Sequence, residues 1–462
     1  MKTERRLFPA PRLLLIAFAF GMALLGGCLK ESLVWSPDGR RAAVITDDGL
    51  YLCDAEGRVS PLLAPGVYRA AWLGGSQQLV LARSRKVADF PALAAALGPG
   101  RTRTLVAKAD ATWKRLQAGS PTKEVGEDLA EDGFAALLYL REHHRDALRK
   151  ILGPDWKDAE FAPAELHALA VARIAGDKLE PGPTLHESLA AIQGIRAAPG
   201  GTAVAFTTKL ELSPVVDHGL HLFVAPADAS APAALVASQT AAEADWTVDG
   251  RSIVYLKAQT AAGKDDNLRL GVLAQREVLA RDGRIRLADS AREFAGLVFQ
   301  QRNRVRCLRD GRVLFGAAEF NLPIAGDSHD VREHLFALDP APKPTIARLT
   351  SPVQAERLPK SLFYFAVSPD EDQVLFGADN GEVWLLTLAT GNVEPIAPKI
   401  DGDKNFTAPV WRRSGEFSYL KKAASAAGND SARPVELVLR RGESESAFSG
   451  TWPDEMLRRL ID

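Results

Sequence analysis

One short phrase recurs along the chain and limits its fold more than any other feature. Val34-Trp35-Ser36-Pro37-Asp38-Gly39-Arg40-Arg41-Ala42-Ala43-Val44-Ile45 places a tight turn between two apolar runs. Proline pre-sets φ at the first corner position, aspartate tolerates the next, and glycine accepts positive φ on the exit. The flanking residues make the phrase a β-hairpin. Gly49 to Val59 then supplies a third strand, a glycine-containing turn and a fourth.

The phrase returns in degraded form. Ala244 to Tyr255 keeps Trp246, Asp249 and Gly250, and Phe365 to Phe376 keeps Ser368, Pro369 and Asp370. Weaker copies begin at Ala71, Ala197, Leu308 and Val410. A four-stranded sheet with two apolar faces and two open edges is stabilised by radial stacking, which buries the faces and shortens the edges. The expected fold is therefore all-β, a β-propeller of six to seven four-stranded blades spanning 33–450. Trp35, Trp72, Trp246 and Trp411 share one repeat position and are expected to pack blade against blade.

Residues 86–165 break the rhythm. Leu129, Leu137, Leu140, Ala147, Leu148 and Ile151 recur near three and four, with charges between them, so an α-helical insertion in blade two is expected. Arg101 and Arg103 read as a small basic loop within it. Residues 451–462 are expected to form a short C-terminal helix, with Thr451 as cap and Met456, Leu457, Leu460 and Ile461 on one face.

The corner phrases resemble the repeats of TolB-like β-propellers, which are akin to WD-repeat propellers. That resemblance implies a binding platform in the periplasm or an accessory domain of a peptidase.

The beginning of the chain carries an address. Lys2, Arg5, Arg6 and Arg12 precede an apolar stretch from Leu13 to about Leu25, as in a secretory signal. The stretch falls short of the roughly 20 residues needed to span a bilayer. Leu25-Gly26-Gly27-Cys28 resembles the bacterial lipobox, which implies cleavage between Gly27 and Cys28 and diacylglycerol on the Cys28 sulfur. Leu29 rather than aspartate after the cysteine leans toward the outer membrane under the sorting rule of enteric bacteria. Residues 1–27 would be the signal peptide and 28–32 a lipidated tether. At about 3.6 Å per residue such a tether holds the propeller within about 20 Å of its anchor.

Removing residues 1–27 takes away Lys2, Arg5, Arg6, Arg12 and Glu4, moving the formal charge from −1 to −4. A mildly acidic body argues against a nucleic-acid footprint. The remaining Cys53 and Cys307 could pair in an oxidising compartment; their repeats lie far apart in order, which favours two buried free thiols.

Chemistry leaves few traces. The sequence contains no Gly-x-Ser-x-Gly elbow, no His-Glu-x-x-His and no phosphate-cradling glycine loop with lysine. His143 and His144 are helical neighbours about 100° apart, and His218 and His221 would point to opposite faces of a strand. Asp327, His329, Asp330, Glu333 and His334 form the best mixed N/O cluster for a divalent ion, with a solvated loop as the plainer reading. No cofactor is expected. The function expected is a non-catalytic, membrane-anchored envelope scaffold that binds a protein or peptide. The alternative is a small-ligand or metal site, possibly enzymatic, in the central channel.

Overall fold

The computed structural model describes residues 31–120, 134–152, 164–212, 219–261, 268–281, 284–318, 332–362, 364–378, 380–398, 408–422 and 435–448, with Trp452 and Met456. Cys28, Gly27, Asp327, His329, Asp330, His218, Leu129, Thr451, Leu457, Leu460 and Ile461 lie outside them.

Two units separate: one is 29–85 with 166–210 and 217–462, and the other is 86–165 with 211–216 and 1–28.

The larger unit is built from antiparallel four-stranded sheets, taken in chain order from the inside of the ring outward. The first blade contains β1 (Leu33–Trp35), β2 (Arg41–Thr46), β3 (Gly49–Asp54) and β4 (Ala64–Pro65). The second contains β5 (Val67–Trp72), β6 (Gln78–Val87), β7 (Ala164–Ala175) and β8 (Lys178–Ser188). The third contains β9 (Gly194–Ala197), β10 (Ala203–Thr208), β11 (Leu220–Pro226) and β12 (Ala234–Thr240).

In the fourth, β13 (Asp245–Trp246), β14 (Ser252–Ala261) and β15 (Leu268–Arg281) are followed by an edge divided between β16 (Arg284–Leu287) and β17 (Arg292–Gln300). Single bridges from Thr240 to Lys257 and from Val298 to Ala318 join this blade to its neighbours.

The fifth contains β18 (Val305–Cys307), β19 (Val313–Ala318), β20 (Glu333–Asp339) and β21 (Thr345–Arg348). The sixth contains β22 (Phe365–Val367), β23 (Gln373–Gly377), β24 (Val383–Thr387) and β25 (Asn392–Ala397). The last contains β26 (Val410–Arg413), β27 (Glu416–Lys422), β28 (Val435–Arg441) and β29 (Ser444–Ala447).

Blade stacking explains why second strands lose the usual alternation of buried and exposed positions. β10 and β19 are buried at every residue. In β2, Ala43 and Ile45 join Val67, Trp72, Leu79 and Leu81 of the second blade, while Ala42 and Val44 join Leu420 and Leu437 of the last. A strand sandwiched between two sheets reads as a continuous apolar run because both of its faces meet protein. Five further apolar clusters join the second blade to the third, the third to the fourth and so on to the last. The ring therefore closes.

Closure uses side chains, since among the described residues no strand is shared between the first and last blades. Trp35 Nε1 donates to Ser418 Oγ at 3.2 Å, and Arg412 Nε donates to the Gly39 carbonyl at 2.9 Å. Trp452 Nε1 donates to the Gly57 carbonyl at 2.8 Å, and Phe448, Trp452 and Met456 complete the seam.

The corner phrase is satisfied internally. Ser36 Oγ donates to Asp38 Oδ1 at 2.6 Å, the Arg40 amide donates to the same oxygen, and Gly39 takes φ +66°. Thr247, Asp249 and Gly250 repeat the arrangement. The corner at Pro369 and Asp370 departs from it: Ser368 Oγ donates to Asp372 rather than Asp370, and Glu371 occupies the left-handed position with φ +61°. The Glu371 carboxylate accepts the Arg309 amide of the adjoining corner at 2.9 Å, a contact that glycine cannot make.

The smaller unit holds α1 (Phe90–Gln117) and α2 (Ala135–Leu152). Asp89 caps α1 by accepting the Ala92 amide. Arg101 and Arg103 lie on this helix, not in a loop. Gly98 at φ +74° breaks it and Pro99, suited to a first turn, restarts it. Arg101 pairs with Glu211 at 2.7 Å. Trp113 of α1 stacks on His144 of α2 at 4.5 Å, and His143, stacked on Tyr139 of its own helix at 4.2 Å, meets Phe90 of α1 edge-on at 6.1 Å, so both histidines serve packing between the helices.

Candidate functional site

In an antiparallel blade every innermost strand starts at the same end of the ring. That end collects the residues just before and within β1, β5, β9, β13, β18 and β22. Glu31, Arg69, Arg196, Glu243, Asp245, Arg304, Arg306 and Tyr364 all belong to this set, and most of them interlock.

Glu243 sits at the centre. Arg196 Nη2 and Arg306 Nη2 donate to its Oε2 at 2.7 and 2.9 Å, and Arg304 Nη2 donates to its Oε1 at 2.7 Å. Arg304 reaches the other way with Nη1, 2.9 Å from Glu31 Oε1. Its guanidinium lies 4.2 Å from the Tyr364 ring centroid, and the Tyr364 hydroxyl donates to the Pro409 carbonyl at 2.7 Å. Asp245 accepts the Cys307 amide at 2.9 Å. Glu31 enters the first blade and Arg304 the fifth, so their contact joins blades that are not neighbours in the ring. It crosses the axis at the end where the inner strands begin.

Burial sets the stakes of this network. The Arg304 side chain is 6% exposed and that of Glu243 10%. Removing such charges from water is costly unless each finds partners. Burial pushes the Glu31 carboxyl up, but Arg304, Arg196 and Arg69 outweigh it and hold the group down to about 2. Asp245 goes the other way: burial raises it to about 6 against the pull of Arg196 and two backbone amides. Burial also raises the Tyr364 hydroxyl. Four arginines thus face Glu31, Glu243 and a weakened acid. Two donors remain over, because Arg304 Nε and Arg196 Nε find no acceptor among the described residues.

Guanidinium forks recognise carboxylates and phosphates by paired donors at fixed geometry. The arrangement is built to hold anions.

The charges occupy one repeat position. Arg196, Asp245 and Arg306 stand where the other blades carry Val34, Ala71, Ala366 and Val410, directly before the tryptophan position. Reading the repeats as packing units passes over this shift from apolar to charged.

The tryptophans themselves bridge blades. Trp72 Nε1 donates to the Val34 carbonyl at 2.9 Å, Trp246 Nε1 to Arg196 at 3.1 Å and Trp411 Nε1 to Ala366 at 2.9 Å. In each case the acceptor lies on the innermost strand of the preceding blade.

Of the mixed cluster considered for a metal, only Glu333 and His334 fall within the described residues. Both are buried on β20: Glu333 accepts the Asn303 side-chain amide at 2.7 Å and the Leu362 amide at 2.6 Å, and His334 Nδ1 lies 3.2 Å from the Thr350 carbonyl. Among the described residues no group of three histidine, cysteine or acidic side chains could hold a metal ion. Cys53 and Cys307 are free. No helix among the described residues is long and apolar enough to cross a membrane.

No known protein family and no curated protein sequence matches the chain. Solved structures do. The Cps50 (Swd1) β-propeller domain of Myceliophteria thermophila aligns over 85% of this chain and 93% of its own at 11% identity, with a TM-score of 0.43. An oligogalacturonate lyase in complex with manganese aligns over 88% and 86% at 10% identity, with a TM-score of 0.45. The β-propeller domain of the Trilobed protease from Pyrococcus furiosus aligns over 63% and 76% at 10% identity, with a TM-score of 0.37. At these identities the similarity concerns the fold alone.

Proposed function

We propose that this β-propeller is a lipid-anchored envelope protein that works as a non-catalytic platform, binding a protein or peptide partner at the end of the ring where the inner strands begin. The observation that carries this reading is the difference between the two ends. The opposite end is made of short corners around Asp38, Asp249 and Asp310, and a buried ion pair there, Arg412 with Glu416, stays within the last blade. The inner-strand end bears the cross-axis ionic network, and there the second and third strands of two blades, β19 with β20 and β27 with β28, are separated in sequence by 319–332 and 423–434. Extended connections on a rigid scaffold are where binding surfaces are usually built.

The lipid anchor rests on the sequence around Cys28, and outer-membrane sorting on Leu29. Glu31 follows Cys28 by three residues, so an acylated Cys28 would lie within about 11 Å of the axial network. The partner would then be met beside the bilayer. A small-ligand reading of the same end is favoured by one observation, the surplus of buried guanidinium donors.

A photo-crosslinking residue placed at Asp47, on the inner-strand end, and in a second variant at Asp310, on the corner end, tests the proposal in intact cells. A single envelope adduct from position 47 and none from 310 is expected. Adducts from neither position, or from 310 alone, overturn it. Cys28→Ser is expected to move the protein out of the membrane fraction, and unchanged fractionation overturns the anchor.

A further inference from the structure

The arginine set at the axis does not need Glu31 for blade packing. Glu31 precedes β1, forms no part of the apolar clusters, and contributes its carboxylate to a partner in a blade that is not its neighbour. Glu243, by contrast, is held by arginines of the two blades adjoining its own. The two carboxylates differ in kind: one is fixed by the repeat, the other is delivered by the segment leading into the ring.

We infer that the axial arginines form a carboxylate-binding site which Glu31 occupies in cis. This rests on the reading of the inner-strand end as the binding surface and names what is bound there: the carboxylate of a peptide C-terminus, of an acidic side chain or of a small organic acid. Arg304 supplies the primary donor, with its Nη1 on Glu31 Oε1 at 2.9 Å. Tyr364 lies against the face of the same guanidinium and fixes its plane. Arg304 Nε and Arg196 Nε are buried donors with no acceptor among the described residues, so Glu31 and Glu243 do not use the whole donor capacity of the set. Arg69 and Arg196 add positive charge around the Glu31 carboxylate without a direct bond to it.

A tethered competitor acts at high effective concentration, so a free carboxylate displaces it only when it brings further contacts. The site is thereby closed to stray acids and opened by a partner that also grips the surrounding connections.

The test uses the full chain in detergent micelles, comparing thermal unfolding in sodium acetate with sodium chloride at equal ionic strength. Wild type should respond equally to both salts. Glu31→Ala should unfold at a lower temperature and recover several degrees in acetate beyond its response to chloride. If Glu31→Ala does not fold in chloride, the comparison passes to Glu31→Gln, which keeps the side-chain size and one acceptor oxygen. No acetate-selective rise in the variant that folds overturns the proposal. So does failure of both variants to fold in acetate, or an acetate-selective rise in wild type.

Three further probes on Glu31→Ala separate the sources. Triglycine exceeding acetate assigns a peptide C-terminus, N-acetyl-aspartate amide exceeding both assigns an acidic side chain, and acetate equal to both assigns a small acid. Triglycine amide matching triglycine overturns the site. Because this test needs no partner, its failure and the failure of in-cell crosslinking are separate results.

Discussion

Arg304 meets Glu31 across the ring, 2.9 Å apart, although the two enter blades that do not adjoin. The contact ties the start of the described chain to the far side of the axis, whereas the buried pair at the corner end, Arg412 with Glu416 at 3.0 Å, stays within one blade. Four expectations follow from this and from the blade seams, and each can be measured.

Acid should loosen the Glu31 contact. Its folded-state value near 2 lies below the ordinary 4.5, so its contribution to stability is complete above 4.5 and is lost as pH falls toward 2. The difference in unfolding midpoint between wild type and Glu31→Gln should be constant from pH 7 to 5 and shrink between pH 4.5 and 2. Urea unfolding across that range reads it. An unchanging difference removes Glu31 from the linkage.

Indole hydrogen bonds between blades should differ in worth. Trp246→Phe takes the donor from the Arg196 carbonyl, and a buried acceptor left unmade costs about 1–3 kcal/mol. Trp35→Phe leaves only the Ser418 hydroxyl, which has the Val410 carbonyl within 3.5 Å as a second partner. Equilibrium unfolding should therefore show Trp246→Phe as the more damaging of the two.

Two corner glycines separate backbone strain from crowding. Gly39 and Gly415 have φ +66° and +68°, so alanine is strained equally at both. A Cβ at Gly39 would stand 3.0 Å from the Arg412 carbonyl oxygen, while at Gly415 it meets nothing within 4 Å. Gly39→Ala should cost more than Gly415→Ala, for which about 1 kcal/mol is expected. Thermal unfolding of the two variants checks the order.

The thiols should be silent in the folded protein. Burial pushes the Cys53 thiol up to about 12 and raises Cys307 well above its ordinary value, so neither supplies thiolate near pH 8. Ellman's reagent should find none in native protein and two after urea. A third in urea would place Cys28 outside a thioether and count against lipidation.

Much of the fold was legible because turn chemistry is local. Pro37, Asp38 and Gly39 specify their corner with backbone and side chains a few residues apart, and Trp246, Asp249 and Gly250 do the same. Glu371 was less legible, since its left-handed conformation is accompanied by a bond to Arg309 in another blade. Arg101 and Arg103 read as a loop because Gly98-Pro99-Gly100 looks like a terminator, whereas Pro99 restarts the helix.

The axial network escaped a residue-by-residue reading for a different reason. Glu31 and Glu243 lie 273 and 61 residues from Arg304 in sequence, and only the ring brings them together. Its trace was the charged replacement of an apolar repeat position at Arg196, Asp245 and Arg306.

A double-mutant cycle on Glu31→Gln and Arg304→Met, followed by urea unfolding of the full chain at pH 7, measures the cross-axis contact itself. A coupling of about 1–3 kcal/mol is expected for a buried charge directly bonded to a half-buried one. Additive single effects, with coupling below about 0.3 kcal/mol, would mean that Glu31 does not sit on Arg304 and that the ring end is not built around it.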